Sequence, residues 1–154
     1  MYYAYRFRAS KSNTVLRNRA RAAEILGISE SSLSNYETGK TKCVPPEMVA
    51  QMASVYNAPE LRNIYCTSVC PVGHNLKLAT TEAPIEKIAV HLINCTNEQR
   101  LHTGLCKFLR IAEEGLDSDK ERRELKEVAE IFGPISFAIS EFSILAERQG
   151  ATWN

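Results

Sequence analysis

The chain has 154 residues, 44% hydrophobic and 24% charged, the makeup of an ordinary folded domain, and this excludes disorder and any collagen-like or mucin-like bias. No stretch approaches the roughly 18 uninterrupted apolar residues of a membrane span, and MYYAYRFRAS lacks a signal peptide's apolar segment, so a cytoplasmic location without membrane contact is expected. The net charge of +1 hides an asymmetry: residues 1–80 hold ten Lys/Arg against five Asp/Glu, and residues 81–154 hold nine against thirteen, as in a basic nucleic-acid face joined to an acidic interaction half.

Period-2 alternation is absent and apolar residues recur three and four apart, so an all-α chain is expected. A first helix is predicted over Tyr3 to Ser10, with the polar segment Lys11 to Arg17 partly continuing it. Asn18 is a candidate N-cap for a second helix through Leu26, stopped by Gly27, and Ser29 caps a third through Glu37 before Thr38 and Gly39 break it. Pro45 and Pro46 suit the first turn of a fourth helix, because proline lacks a donor that would be unpaired there anyway. Met48, Val49, Met52, Ala53 and Tyr56 form its apolar face. Asn57 and Pro59 open a short fifth helix that runs into CTSVCPVG, which Pro71 and Gly73 mark as irregular.

From about Pro84 one long helix is predicted, its seam formed by Ile85, Ile88, Leu92, Cys95, Gln99, His102, Cys106 and Leu109. The turn EEGLDSDKE ends it, and Ser118 with Glu121 forms a capping-box pattern for a last helix. That helix carries a heptad-like seam of Leu125, Val128, Phe132, Ile135, Ile139, Phe142 and Ala146, suited to the preceding helix or to another subunit. Pro134 should kink or break it near Gly133. The expected division is a helical head over 1–66, a connector over 67–83 and a C-terminal long helical hairpin over 84–150.

Five cysteines, an odd number in a chain large enough to fold without staples, argue for reduced thiols. Cys66, Cys70 and His74 are spaced within the range of zinc ligands, with Cys43 a conceivable fourth, but only one tight ligand pair is evident and no metal or other cofactor is expected. His91 and His102 have no serine or acidic partner at suggestive spacing. Walker-type and Rossmann glycine patterns and an EF-hand loop are also absent, so no enzyme is expected.

The segment NRARAAEILGISESSLSNYETGK resembles the helix-turn-helix of the phage-repressor and Cro-like regulators of the Xre family. The resemblance is carried by Ala22-Ala23, by Leu26-Gly27-Ile28-Ser29 at the turn, and by Leu33-Ser34-Asn35-Tyr36-Glu37 followed by Gly39. It covers about residues 1–65 and implies a lambda-repressor-like five-helix head whose third helix enters the major groove of double-stranded DNA. Physical reasoning gives that helix the same role, because its small polar residues can meet base edges while nearby cations neutralise phosphates. Glu30, Ser31, Ser32, Ser34 and Asn35 are the base-facing candidates. Arg17, Arg19, Arg21, Lys40 and Lys42 are the phosphate candidates. The resemblance further implies that Glu37 is structural and pairs with Arg6 or Arg8.

Two departures stand out: a long connection between the first two helices, and an acid at Glu30. The function expected is a transcriptional regulator, a repressor by resemblance, acting as a homodimer. The alternatives are a protein-interaction adaptor with a degenerate helix-turn-helix, recruiting a partner through its C-terminal helices, and a metal- or thiol-responsive regulator.

Overall fold

A computed structural model describes residues 1–73 and 75–151. Among these there are helices and no strand, so the chain is all-α, and it divides into two compact units. One comprises Met1–Leu76 and the residues from Glu147 onward; the other comprises Lys77–Ala146.

The first unit contains α1 (Tyr2–Ala9), a 3-10 turn (Thr14–Arg17), α2 (Arg19–Ile25), α3 (Glu30–Thr38), α4 (Pro46–Val55) and α5 (Glu60–Ser68). Local chemistry sets these boundaries. The Asn18 side chain accepts the Arg21 backbone N–H at 3.1 Å and starts α2. Gly27, at φ +63, ends it: the Gly27 N–H reaches Glu24 O at 3.0 Å and the Ile28 N–H reaches Ala23 O at 3.0 Å, the paired bonds of a Schellman cap. The end of α4 repeats the device with Asn57 at φ +48, where the Ala58 N–H bonds Ala53 O at 2.8 Å. Pro46 occupies the first position of α4, as expected.

The segment Lys11–Arg17 does not continue α1 as an α-helix. It folds into the 3-10 turn, which buries Leu16 in the core, and Asn13 caps it by accepting the Val15 N–H at 3.3 Å. The long connection thus supplies a core residue. Leu16, Leu26, Leu33, Val49, Met52 and Leu61 are almost fully buried in one cluster drawn from the 3-10 turn and α2 to α5. Burial of such a side chain stabilises the unit by about 1.5–3 kcal/mol each.

The second unit contains α6 (Ile85–Cys95), α7 (Glu98–Glu114) and most of α8 (Asp119–Arg148). The single helix expected from Pro84 is two helices. Thr96 turns its hydroxyl onto Leu92 O at 2.6 Å, and Asn97 restarts the chain by accepting the Arg100 N–H at 3.1 Å. The break resets the register, so α7 buries Gly104 and Ile111 while His102, Cys106 and Leu109 of the expected seam are exposed. Gly115, at φ +93, ends α7.

The Glu121 carboxylate accepts the Ser118 N–H at 2.7 Å and opens α8; that bond holds the carboxyl below its ordinary range. Antiparallel pairing of α7 with α8 is fixed by Lys107–Glu127 at 2.5 Å and Arg110–Glu124 at 2.6 Å. At Gly104 a Cβ would stand 3.1 Å from Ile131, so glycine permits the close approach there.

Of the kink or break expected near Gly133, the break does not occur: helix α8 runs on through Pro134. Proline removes the donor that would bind Glu130's carbonyl. The Arg100 guanidinium donates to that carbonyl at 3.3 Å instead, so a cross-helix contact supplies a partner that the local backbone lacks. Among the described residues, α8 is the helix long and apolar enough, by length and composition alone, to cross a membrane.

Candidate DNA interface

Recognition of a groove needs a short helix held rigidly from behind with polar groups in front. In α3 the rear is Leu33, fully buried against the core. At about 100° per residue, Ser31, Asn35 and Thr38 fall on the side away from Leu33, and Ser34 flanks them. Ser31 and Thr38 are exposed; Ser32, Ser34 and Asn35 are half-buried.

The N-terminus of α3 is a hydroxyl cluster. Ser29 Oγ accepts the Ser32 N–H at 3.0 Å and lies 2.9 Å from Ser31 Oγ and 2.8 Å from Ser32 Oγ. Ser31 and Ser32 are therefore partly committed to the cap. Glu30 is exposed in the first turn, where a carboxylate stabilises the positive end of the helix by about 0.3–1 kcal/mol, and it lies nearer the Leu33 side than Ser31 does. Thr38 shares the outward face but is absent from the candidates chosen by sequence; its hydroxyl donates to Ser34 O at 2.8 Å. The helical period alone could have found it.

An ion-pair cluster clamps this helix. Arg6 grips Glu37 with two bonds, Nε to Oε1 at 2.5 Å and Nη2 to Oε2 at 3.1 Å, and Arg19 Nε reaches Glu37 Oε2 at 3.1 Å. Both Arg6 and Glu37 side chains are buried, at 4% and 2% exposure. Arg6 Nη1 also donates to Leu16 O at 2.7 Å and to Arg17 O at 3.2 Å, so one guanidinium joins α1, the 3-10 turn and α3. The hydrogen bonds that Arg6 donates to Glu37 raise its pKa above the ordinary value and keep it charged. Of the two arginines considered for Glu37, Arg6 takes it; Arg8 bonds Glu60 at 2.5 Å.

The phosphate candidates are placed unevenly. Arg19 begins α2 and is half-exposed while bonded to Glu37; Arg21 is exposed and pairs with Glu24 at 2.8 Å; Arg17 is exposed beside the start of α2. Lys40 and Lys42 are exposed on the loop after Gly39, and the Thr41 N–H bonds Asn35 O at 3.3 Å, which holds that loop at the C-terminal end of α3.

The cysteine segment does not assemble a ligand set among the described residues, where no group of three or more His, Cys, Asp or Glu is arranged to hold a metal. Cys66 and Cys70 are half-buried free thiols, Cys43 is an exposed one, and His74 lies outside the described residues. Cys43 Sγ stands 3.7 Å from the Tyr65 hydroxyl, whose pKa is pushed up to about 12 by this contact and by burial, so Tyr65 is neutral near pH 7.

No curated protein and no solved structure matches the chain. Residues 6–63, from the clamping Arg6 to the first turn of α5, match the family model described as a helix-turn-helix domain, and the chain therefore carries an N-terminal domain of that kind.

Proposed function

We propose that the chain is a cytoplasmic, sequence-specific transcriptional regulator, a repressor of the Xre kind, that reads DNA through α3 as a homodimer on a partly palindromic operator. The reading gives residues 1–66 to DNA, 67–83 to connection, and 84–150 to dimerisation or regulation. The observation that carries it is the mounting of α3 within a segment that matches a helix-turn-helix domain: Leu33 and Glu37 are locked from behind, and Ser31, Ser34 and Asn35 stand forward.

Base discrimination falls to Asn35, whose amide both donates and accepts and so matches an adenine edge, with Ser31, Ser32 and Ser34 adding shorter contacts. Glu30, exposed in the first turn of α3, offers a carboxylate that can accept from a cytosine amine. Arg17, Arg19, Arg21, Lys40 and Lys42 neutralise phosphates and fix the register without choosing a sequence.

Selection of bound duplexes from a random library tests the reading. An enriched, two-fold-related motif is expected. On that motif Asn35→Ala should lose about 1–3 kcal/mol of affinity without weakening random-duplex binding, whereas Lys40→Ala should weaken both and reduce the salt slope by about 1. No enrichment at moderate ionic strength, or equal losses on all duplexes, would sink the proposal.

A further inference from the structure

The second unit has an interior too thin for its size. Its larger buried aliphatic side chains are Ile88, Ile111, Val128 and Ile144, whereas Leu105 is 51% exposed, Phe108 48% and Ile139 50%. Exposed apolar side chains become informative when they are contiguous. On α7 the line that meets α8 runs through Arg100, Gly104 and Lys107. Leu101, Leu105 and Phe108 form a second stripe beside that line. On α8 the α7-facing line runs through Glu124, Glu127 and Ile131, and Phe132, Ile135 and Ile139 lie beside it.

Because the helices are antiparallel, the handedness of the α-helix turns both stripes to the same side of the pair. They make one continuous apolar face within this unit. Past Ile131, which packs against Gly104, the α8 stripe continues for two further turns.

We infer that this face, Leu101, Leu105 and Phe108 of α7 with Phe132, Ile135 and Ile139 of α8, is where a second copy of the chain docks, forming a bundle of two α7–α8 pairs. Three features select an identical chain. The α8 residues keep the three-four spacing of a seam that packs against its own like. The stretch from Ile131 to Ala146 contains one charged residue, Glu141, and that residue is buried and paired with His91 at 2.6 Å, so nothing charged on the stripe repels an identical face or specifies a different one. A closed two-fold pair presents two heads, as a palindromic site requires. A bilayer is a poorer match, since α8 is apolar along only part of its length and its first turns, DKERRELKE, are densely charged.

The assignment of a second copy rests on the DNA-reading proposal for its third argument, so the test measures assembly without DNA. Sedimentation of the full chain at micromolar concentration should give a dimer. Ile139→Glu and Leu105→Glu, both at exposed positions, should each weaken it by on the order of 100-fold, because two carboxylates per dimer would be desolvated. Helicity by circular dichroism should be unchanged, and the milder Ile139→Ser should shift the equilibrium in the same direction should a glutamate disturb the fold.

A monomer at all concentrations overturns the inference. So does a dimer indifferent to these substitutions, or uptake of the chain by phosphatidylglycerol vesicles that Ile139→Glu abolishes. A dimer that obeys the substitutions yet selects no duplex leaves this face intact and removes the DNA reading alone.

Discussion

Glu37 is the residue on which the rigidity of α3 depends. Its carboxylate is buried with two guanidiniums on it, from Arg6 and Arg19, and Arg6 is spent entirely inside the protein. Truncation at Glu37 would leave Arg6 as a buried charge without its counter-ion, a change that typically costs about 3–5 kcal/mol. Glu37→Ala should accordingly lower the urea midpoint of the first unit severely, while Arg19→Ala, which removes a half-exposed partner, should cost far less. Equal losses from both would refute the ranking.

Glu60 is a second buried carboxylate, bonded by Arg8 at 2.5 Å and by Arg148 at 2.7 Å. Burial pushes its pKa up, but the hydrogen bonds from the two arginines outweigh this and hold it below the ordinary 4.5. A carboxyl depressed on folding contributes stability that is present above its unfolded pKa and is lost as pH falls through the folded one. The first unit should therefore hold its stability down to pH about 4.5 and weaken below it, and Glu60→Gln should flatten that acid limb. An unchanged limb in the variant would show that other groups carry it.

Elements whose boundaries are set by adjacent residues are legible in the sequence. Asn18, Gly27, Ser29, Gly39 and Pro46 each fix a backbone donor or a left-handed turn within four residues of themselves, and α2 to α4 fall where those signals put them. The break between α6 and α7 is hidden by apolar spacing that runs on from Leu92 through Cys95. Its signal is the cap Asn97, which a seam-based reading passes over. At Pro134 the helix continues where a break is one of the two expected outcomes, and the Glu130 carbonyl left without its backbone donor accepts from Arg100, 30 residues away.

The segment after α5 shows how tight a legible irregularity can be. A Cβ on Gly73 would stand 2.5 Å from the carbonyl oxygen of Cys66, a backbone atom that cannot swing aside. Gly73→Ala should destabilise the first unit by about 1–3 kcal/mol through forced backbone movement. Thermal melts would detect it, and a neutral result would mean that the turn at CTSVCPVG yields without cost.

At the scale of the whole molecule, the charge asymmetry of the sequence and the two structural units divide the chain near the same place, Lys77. What the sequence could not reveal is that Glu147 and Arg148, at the end of α8, belong to the first unit: Arg148 meets Glu60 and Glu147 pairs with Arg62, contacts 88 and 85 residues apart that no local pattern encodes.

The two units also differ in how they can hold themselves together. The first has a closed cluster of large side chains, whereas the second leaves much of its apolar surface outside. Amide protection follows the local free energy of opening, so the amides of α6 and α7 should exchange with solvent well before those of α2 to α4. Association stabilises only the surfaces it covers and does so in proportion to the logarithm of concentration. If a second copy covers the α7–α8 face, raising the protein concentration tenfold through the dimerisation range should slow exchange in α7 and in the second half of α8, with α2 to α4 unaffected. Uniform protection across both units at every concentration would mean that the second unit is self-sufficient, and that its exposed stripe has no partner of its own kind.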